Sequence, residues 1–145
     1  MKMQTFFIED LAVGHTATMT RIVQVEDVKM FAELSGDFNP LHFDEEFAAT
    51  TRFGRCVAHG MLSASYISTV IGTQLPGSGT IYMSQSIAFK APVYLGDEVI
   101  TTVEVLSLDT QKSRATLHCL CKVGDTIVIE GEAAVLVPRQ KKKSR

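Results

Sequence analysis

Two side chains able to exchange protons, Asp37 and His42, lie five positions apart in the segment SGDFNPLHFD. Imidazole titrates near neutral pH and a carboxylate can orient or deprotonate water, so this pair could hold one water molecule. Addition of water to an activated carbon–carbon double bond is a reaction that uses such a pair. The alternative is structural, with Asp37 bonding the backbone of a turn and His42 satisfied within a loop. The spacing leaves both interpretations open.

A second candidate is the start of an uncharged helix at Gly60. The first N–H groups of a helix have no intrahelical partner and can stabilise an oxyanion. Glycine would let a ligand approach the backbone closely, but glycine also begins many helices for packing reasons. We interpret the preceding His59 as a structural residue at the helix start. The hydroxyls of Ser63, Ser65 and Ser68 are expected to bond carbonyl groups one turn back.

The predicted elements place Asp37 and His42 in a connection between two helices. Apolar residues recur at helical spacing over residues 26–35, with acidic residues in the first turn and Gly36 as a stop. Pro40 favours an extended conformation at the residue before it, so the following segment is predicted to be an irregular loop. Asp44 is then predicted to cap a second short helix, EEFAAT.

The rest of the chain is typical of strands packed around one buried helix. Residues 60–74 are apolar or small and carry no charge, which predicts a helix buried on all sides. Runs rich in β-branched residues and bounded by turn signals predict five strands, GHTATMTRIV, TIYMSQSIAF, DEVITTVEVLSL, SRATLHCLCKV and TIVIEGEAAVLV. We therefore expect an α+β fold in which a curved antiparallel sheet wraps a long central helix.

Size and charge restrict the class of protein. A chain of 145 residues suits one domain, which we assign to residues 1–137, followed by a basic flexible tail over residues 138–145. A formal net charge of -2 gives no reason to expect a nucleic-acid partner. No apolar run is long enough to cross a bilayer, and the segment MKMQTFFIEDLAVG does not have the long apolar core that is typical of a secretory signal. We expect no membrane partner and a cytoplasmic location, or the mitochondrial matrix in a eukaryote.

The cysteines indicate a reducing compartment and no metal. There are three, Cys56, Cys119 and Cys121, with no C-x-x-C pair and an odd number, which argues against a disulfide framework. The i,i+2 spacing of Cys119 and Cys121 puts both on one face of a strand, where His118 points to the other face. A zinc site there is therefore not expected.

Several segments together resemble the MaoC-like (R)-specific enoyl-CoA hydratases. The resemblance is carried by SGDFNPLHFD, FGR, HGM, QLPG, IY with SIAF, and PV with LGDEV, and it covers nearly the whole chain. It implies a hot-dog fold, a homodimer and an acyl-CoA thioester substrate, with no cofactor beyond the coenzyme A of that substrate.

The resemblance also implies roles for individual residues. Asp37 and His42 match the catalytic aspartate and histidine, with Asn39 between them as a supporting residue. Gly60 matches the backbone donor to the thioester carbonyl, and Ser68 matches a helix serine that bonds near the aspartate. The implied reaction is reversible syn addition of water to a trans-2-enoyl thioester, giving the (R)-3-hydroxyacyl product.

Three other functions remain open at this point. The same motif occurs in 3-hydroxyacyl thioester dehydratases of fatty-acid synthesis, which run the reaction in reverse on an acyl-carrier-protein thioester. Hot-dog folds also include thioesterases, and fold alone does not settle function. A catalytically silent acyl-thioester-binding module would be expected to lack Asp37 or His42, and both are present.

Overall fold

Five antiparallel strands form one sheet in the computed structural model, which describes residues 3–140. The strands are β1 (Thr16–Ile22), β2 (Ile81–Phe89), β3 (Glu98–Asp109), β4 (Arg114–Val123) and β5 (Thr126–Leu136). Their order across the sheet is β1-β3-β4-β5-β2, so β1 and β2 are the two edges. All five predicted strands are present, and together with the long helix they make the α+β hot-dog fold that the sequence predicts.

The long helix, α3, spans Gly60–Thr73 and packs on β1, β3 and β4. Its buried residues fall on one side and join the strand residues in a single core: Leu62, Ser63, Tyr66, Ile67, Val70 and Ile71. The prediction that α3 is buried on all sides is wrong for this chain, because the sheet covers only one side. The uncovered side carries no charge and consists of Met61, Ser65, Ser68 and Gly72.

Two shorter helices precede α3 where the sequence predicts them. Helix α1 spans Val25–Ser35 and ends at Gly36, whose φ of 82° lies in the left-handed region that glycine adopts without strain. Helix α2 spans Glu45–Ala49, and the Asp44 carboxylate caps it by accepting a hydrogen bond of 3.1 Å from the N–H of Phe47. These two ends fix the start and the finish of the segment that carries Asp37 and His42.

Pro138 and Arg139, at the start of the predicted tail, are hydrogen-bonded to the domain. The carbonyl of Pro138 accepts a hydrogen bond of 2.9 Å from the N–H of Ile8. The Arg139 guanidinium donates to the carbonyls of Thr110 and Gln111. The rest of the predicted tail, residues 141–145, lies outside the described residues.

None of the helices within residues 3–140 combines the length and the apolar character required to span a membrane.

Candidate active site

The segment between α1 and α2 is more regular than predicted. Residues Pro40–His42 form a short 3-10 helix where the sequence analysis expected an irregular loop. Asn39 caps it, since its side-chain oxygen accepts a hydrogen bond of 3.0 Å from the N–H of Leu41. The N–H of Asn39 in turn donates to Oδ1 of Asp37 at 3.2 Å. Asn39 thus links the Asp37 carboxylate to the turn that carries His42.

His42 is oriented by the backbone of the segment that leads to α3. The residue is 9% exposed, and Nδ1 lies 2.6 Å from the carbonyl oxygen of Val57. A carbonyl can only accept, so Nδ1 carries the hydrogen and Nε2 of the neutral ring is left as a proton acceptor. Burial lowers the pKa of His42, and the nearby His59 lowers it further, while the Val57 carbonyl and Asp37 act in the opposite direction. The balance favours the neutral ring.

Asp37, His42 and His59 are brought together. Their possible proton-accepting or metal-binding atoms all lie within 4.8 Å of one another. Asp37 is exposed whereas both histidines are buried, and the two imidazoles stack with 3.8 Å between ring centroids and 30° between planes. Nitrogen lone pairs lie in the ring plane, so stacked rings do not direct two nitrogens at a common metal position. The sequence prediction of no metal remains a prediction.

Beside this group, a cleft of about 650 Å³ opens at the start of α3. Its lining includes His42, Gly60 and the ring of Phe89 at the end of β2. Gly60 is the first residue of α3, and its N–H has no hydrogen-bond partner among the described residues. A Cβ at Gly60 would lie 2.7 Å from Phe89, so the glycine also has a packing reason. Both explanations raised by the sequence therefore apply to Gly60.

Two of the three helix serines, Ser63 and Ser68, differ from their expected roles. Ser65 bonds the carbonyl of Leu62, as predicted. Ser63 is 1% exposed, lines the cleft, and its hydroxyl has no partner within residues 3–140. Ser68 is exposed, is not part of the cleft lining, and makes no hydrogen bond to Asp37 in the described chain. The sequence analysis expected Ser63 to bond the preceding turn and missed its place at the cleft, which its position one helical turn after Gly60 could have indicated.

The sequence matches the model of a known protein family. The family model described as the MaoC-like domain matches residues 11–128. This chain belongs to the MaoC-like family.

Individual relatives match this MaoC-like chain over most of their length. A 3-hydroxybutyryl-CoA dehydratase from Methylorubrum extorquens is 47% identical over 139 residues, covering 96% of this chain and 88% of the relative. An (R)-specific enoyl-CoA hydratase from Rhodospirillum rubrum is 48% identical over 132 residues, covering 91% and 92%. A solved structure of the (R)-hydratase from Aeromonas caviae superposes with a TM-score of 0.87 at 47% identity, covering 90% of this chain and 99% of that one.

Two basic side chains belong to the lining of the cleft in this MaoC-like chain. They are Arg52 and Lys90, and both are exposed. The Arg55 guanidinium stacks on the ring of Tyr94, 4.0 Å from its centroid, and the Tyr94 hydroxyl donates to the carbonyl of Phe53 at 3.0 Å. Sequence reasoning missed this group, because Arg52 and Lys90 are far apart in the chain and no local pattern unites them.

Proposed function

We propose that this protein is an (R)-specific enoyl-CoA hydratase, a hydro-lyase that reversibly adds water to a trans-2-enoyl-CoA. The observation that carries the proposal is that His42 and Gly60, whose N–H is unpartnered among residues 3–140, line one cleft, while Asp37, which is not part of the lining, lies within 4.8 Å of His42. Asp37 and His42 suit activation of water, and the N–H of Gly60 suits a developing negative charge on oxygen. The two curated relatives named above act, by their names, on CoA thioesters in the two directions of this reaction.

In the proposed mechanism, one water lies between the Asp37 carboxylate and Nε2 of His42. The water oxygen forms a bond to C3 of the substrate as the pair removes one proton from it. The electrons of the double bond move toward the thioester carbonyl, whose oxygen accepts a hydrogen bond from the N–H of Gly60. The pair then returns the proton to C2 on the same face, so addition is syn and no proton is left over. No cofactor is required beyond the coenzyme A of the substrate.

The basic residues of the cleft lining support coenzyme A as the carrier. Arg52 and Lys90 are exposed there, and because Lys90 lies 3.8 Å from the Glu130 carboxylate, Arg52 is the better placed of the two to bind a phosphate. Guanidinium and ammonium groups are the usual protein partners of phosphates. An acyl-carrier-protein thioester remains the alternative, and the proposed assay separates the two by comparing crotonyl groups on both carriers.

A homodimer is part of the proposal. β2 is an edge strand without a charged residue, and it exposes Ile81, Tyr82, Met83 and Phe89. A long apolar edge of this kind is normally covered by pairing with another strand, and a second copy of β2 supplies one. The uncharged open side of α3 gives the same chain a further surface that a second copy would cover.

The proposed location is a reducing compartment such as the cytoplasm. The thiols of Cys56, Cys119 and Cys121 are all free and buried. Proteins of oxidising compartments generally use such residues in disulfides.

The test is incubation with crotonyl-CoA, with the conjugated double bond and free thiol followed separately. We expect loss of the conjugated absorbance, no thiol release, and a product that is almost wholly (R). Asp37→Asn serves as the control for uncatalysed hydration. Thiol release without hydration would indicate a thioesterase, and neither change would indicate a silent binding module. Faster turnover of the acyl-carrier-protein thioester would reassign the carrier.

A further inference from the structure

His59 contacts both members of the proposed catalytic pair. It is 2% exposed and occupies the N-cap position of α3. Its Nε2 lies 3.0 Å from the backbone carbonyl oxygen of Asp37, which can only accept, so Nε2 carries the hydrogen. The same ring stacks on His42 with centroids 3.8 Å apart. One side chain therefore fixes the backbone of the acid and the ring face of the histidine.

The other contacts of His59 leave it little freedom. Phe31 of α1 packs against its ring at a centroid distance of 4.9 Å, and Phe43 approaches edge-on at 6.2 Å. Because α1, the 3-10 helix and α3 meet at this ring, a change in its position would move Asp37 relative to His42.

One atom of His59 is not explained by stability. With Nε2 donating to Asp37, Nδ1 is buried and has no hydrogen-bond partner in the described part of the chain. A buried polar atom without a partner lowers stability, and a phenylalanine would fill much of the same space without that cost. The imidazole is therefore explained by what its Nε2–H and its ring face do for the site.

We infer that His59 is a positioning residue for hydration: it holds Asp37 by a backbone hydrogen bond and His42 by ring stacking, so that both face one water. The inference rests on the proposed function. His59 touches neither substrate nor water in this role, and it acts only through its two neighbours.

Two substitutions separate the two contacts. His59→Phe keeps an aromatic ring against His42 but removes the donor to Asp37, whereas His59→Gln keeps an N–H at the same distance from the backbone but loses the ring. We expect His59→Phe to lower kcat by about 10- to 100-fold through misplacement of the pair, with KM nearly unchanged. His59→Gln should lower kcat by a comparable factor, because it keeps the donor to Asp37 but removes the ring on which His42 stacks. Val70→Ala, in the buried core of the same helix, is the control for lost stability.

The pH profile gives a readout that a purely structural role would not move. Burial is the main cause that lowers the pKa of His42 and His59 lowers it further, while the Val57 carbonyl and Asp37 raise it. Replacing His59 removes one of the two lowering causes and keeps both raising groups, so the pKa of His42 should rise. Loss of neutral His42 would then begin at higher pH, and the acid limb of kcat/KM should move upward in both variants. Val70→Ala should leave that limb in place.

Several outcomes would overturn the inference. Wild-type kcat and an unmoved acid limb in either His59 variant would do so, as would an equal loss of kcat in Val70→Ala at a matched melting temperature. If circular dichroism shows that His59→Phe does not fold, the acid limb of the kcat/KM profile of His59→Gln provides the test. A limb that stays at the wild-type pH would overturn the inference.

Failure of the proposed function is distinguishable from failure of this inference. Wild-type protein inactive on crotonyl-CoA would refute the hydratase assignment. In that case ¹⁵N NMR of the His42 ring still tests positioning, because the hydrogen should reside on Nδ1 in wild type and the signal should shift in both His59 variants. An unchanged His42 signal would refute the positioning role.

Discussion

Asp37 and His42 are proposed to share one water, so their contributions to rate should not be independent. Asp37→Asn keeps the size of the side chain but removes the carboxylate, and His42→Ala removes the acceptor at Nε2. Each should lower kcat at least about a hundredfold, and the double variant should be only slightly slower than the poorer single variant. Steady-state kinetics on crotonyl-CoA measures all three. Additive losses in log kcat would indicate two separate roles.

Burial also determines the chemistry of the cysteines. Cys119 is 0% exposed, and burial raises the pKa of its thiol to about 11, so almost no thiolate is present at neutral pH. We expect the thiols of the folded protein to react very slowly with a disulfide reagent at pH 8. On denaturation they become accessible and should react fully. Rapid modification of the native protein at Cys119, identified by mass spectrometry, would contradict the buried position of β4.

What could be predicted for single residues depended on local geometry. Asp37, Asn39 and His42 lie within six consecutive positions, and the chain between them fixes their proximity. The stack of His42 on His59 could not be predicted, because it depends on the packing of three helical segments. The free hydroxyl of Ser63 was missed for a related reason: the rule that helix serines bond the preceding turn does not hold where the helix lines a cleft.

At the start of α3, Gly60 lies close to the ring of Phe89 and has an N–H without a hydrogen-bond partner among residues 3–140. The substitution Gly60→Ala tests which of the two features activity depends on. Alanine favours the helix slightly, and Phe89 is 54% exposed and able to turn away, so stability should change by no more than about 1 kcal/mol. The methyl group crowds the donor that is proposed to bind the thioester oxygen. We expect kcat/KM to fall by about tenfold or more while the melting temperature is nearly kept.

A second substitution separates the donor from its neighbour. Phe89→Leu combined with Gly60→Ala relieves the close contact of 2.7 Å with the ring. If crowding of the donor is the cause, the loss of kcat/KM persists in the double variant. Recovery to the rate of Phe89→Leu alone would show that a displaced ring had blocked the cleft.

The presence of each helix and strand was easier to predict than the side on which it is exposed to solvent. Runs of β-branched residues bounded by turn residues located every strand. Gly36 ended α1 as expected, in a left-handed conformation. The 3-10 helix at Pro40–His42 was not predicted because three residues are too few to show a period. The open side of α3 was misjudged because uncharged small residues have the same composition whether they face a core or a second protein surface.

The edge strand β2 should hold two copies of the chain together. Ile81 and Met83 are 57% and 46% exposed, and a charge at each would oppose pairing of this edge. We expect wild type to sediment as a dimer at micromolar concentration and Ile81→Lys/Met83→Lys to shift toward the 15.9 kDa monomer. Val13→Lys is a matched control, because Val13 is 66% exposed but lies in the turn before β1. A wild type that sediments only as monomer would contradict the proposal.

The order of strands has a consequence for how the chain folds. β3, β4 and β5 follow one another and pair as neighbours, so their contacts close only short loops. The other two pairings join segments that are distant in the sequence. β1 pairs with β3, with Thr16 opposite Glu104, and β2 pairs with β5, with Ile81 opposite Leu136. Pairings between distant segments carry a larger loop-closure entropy and form slowly. During synthesis β2 therefore leaves the ribosome before its partner exists, and its apolar residues stay unpaired until β5, at the C-terminal end of the sheet, has emerged.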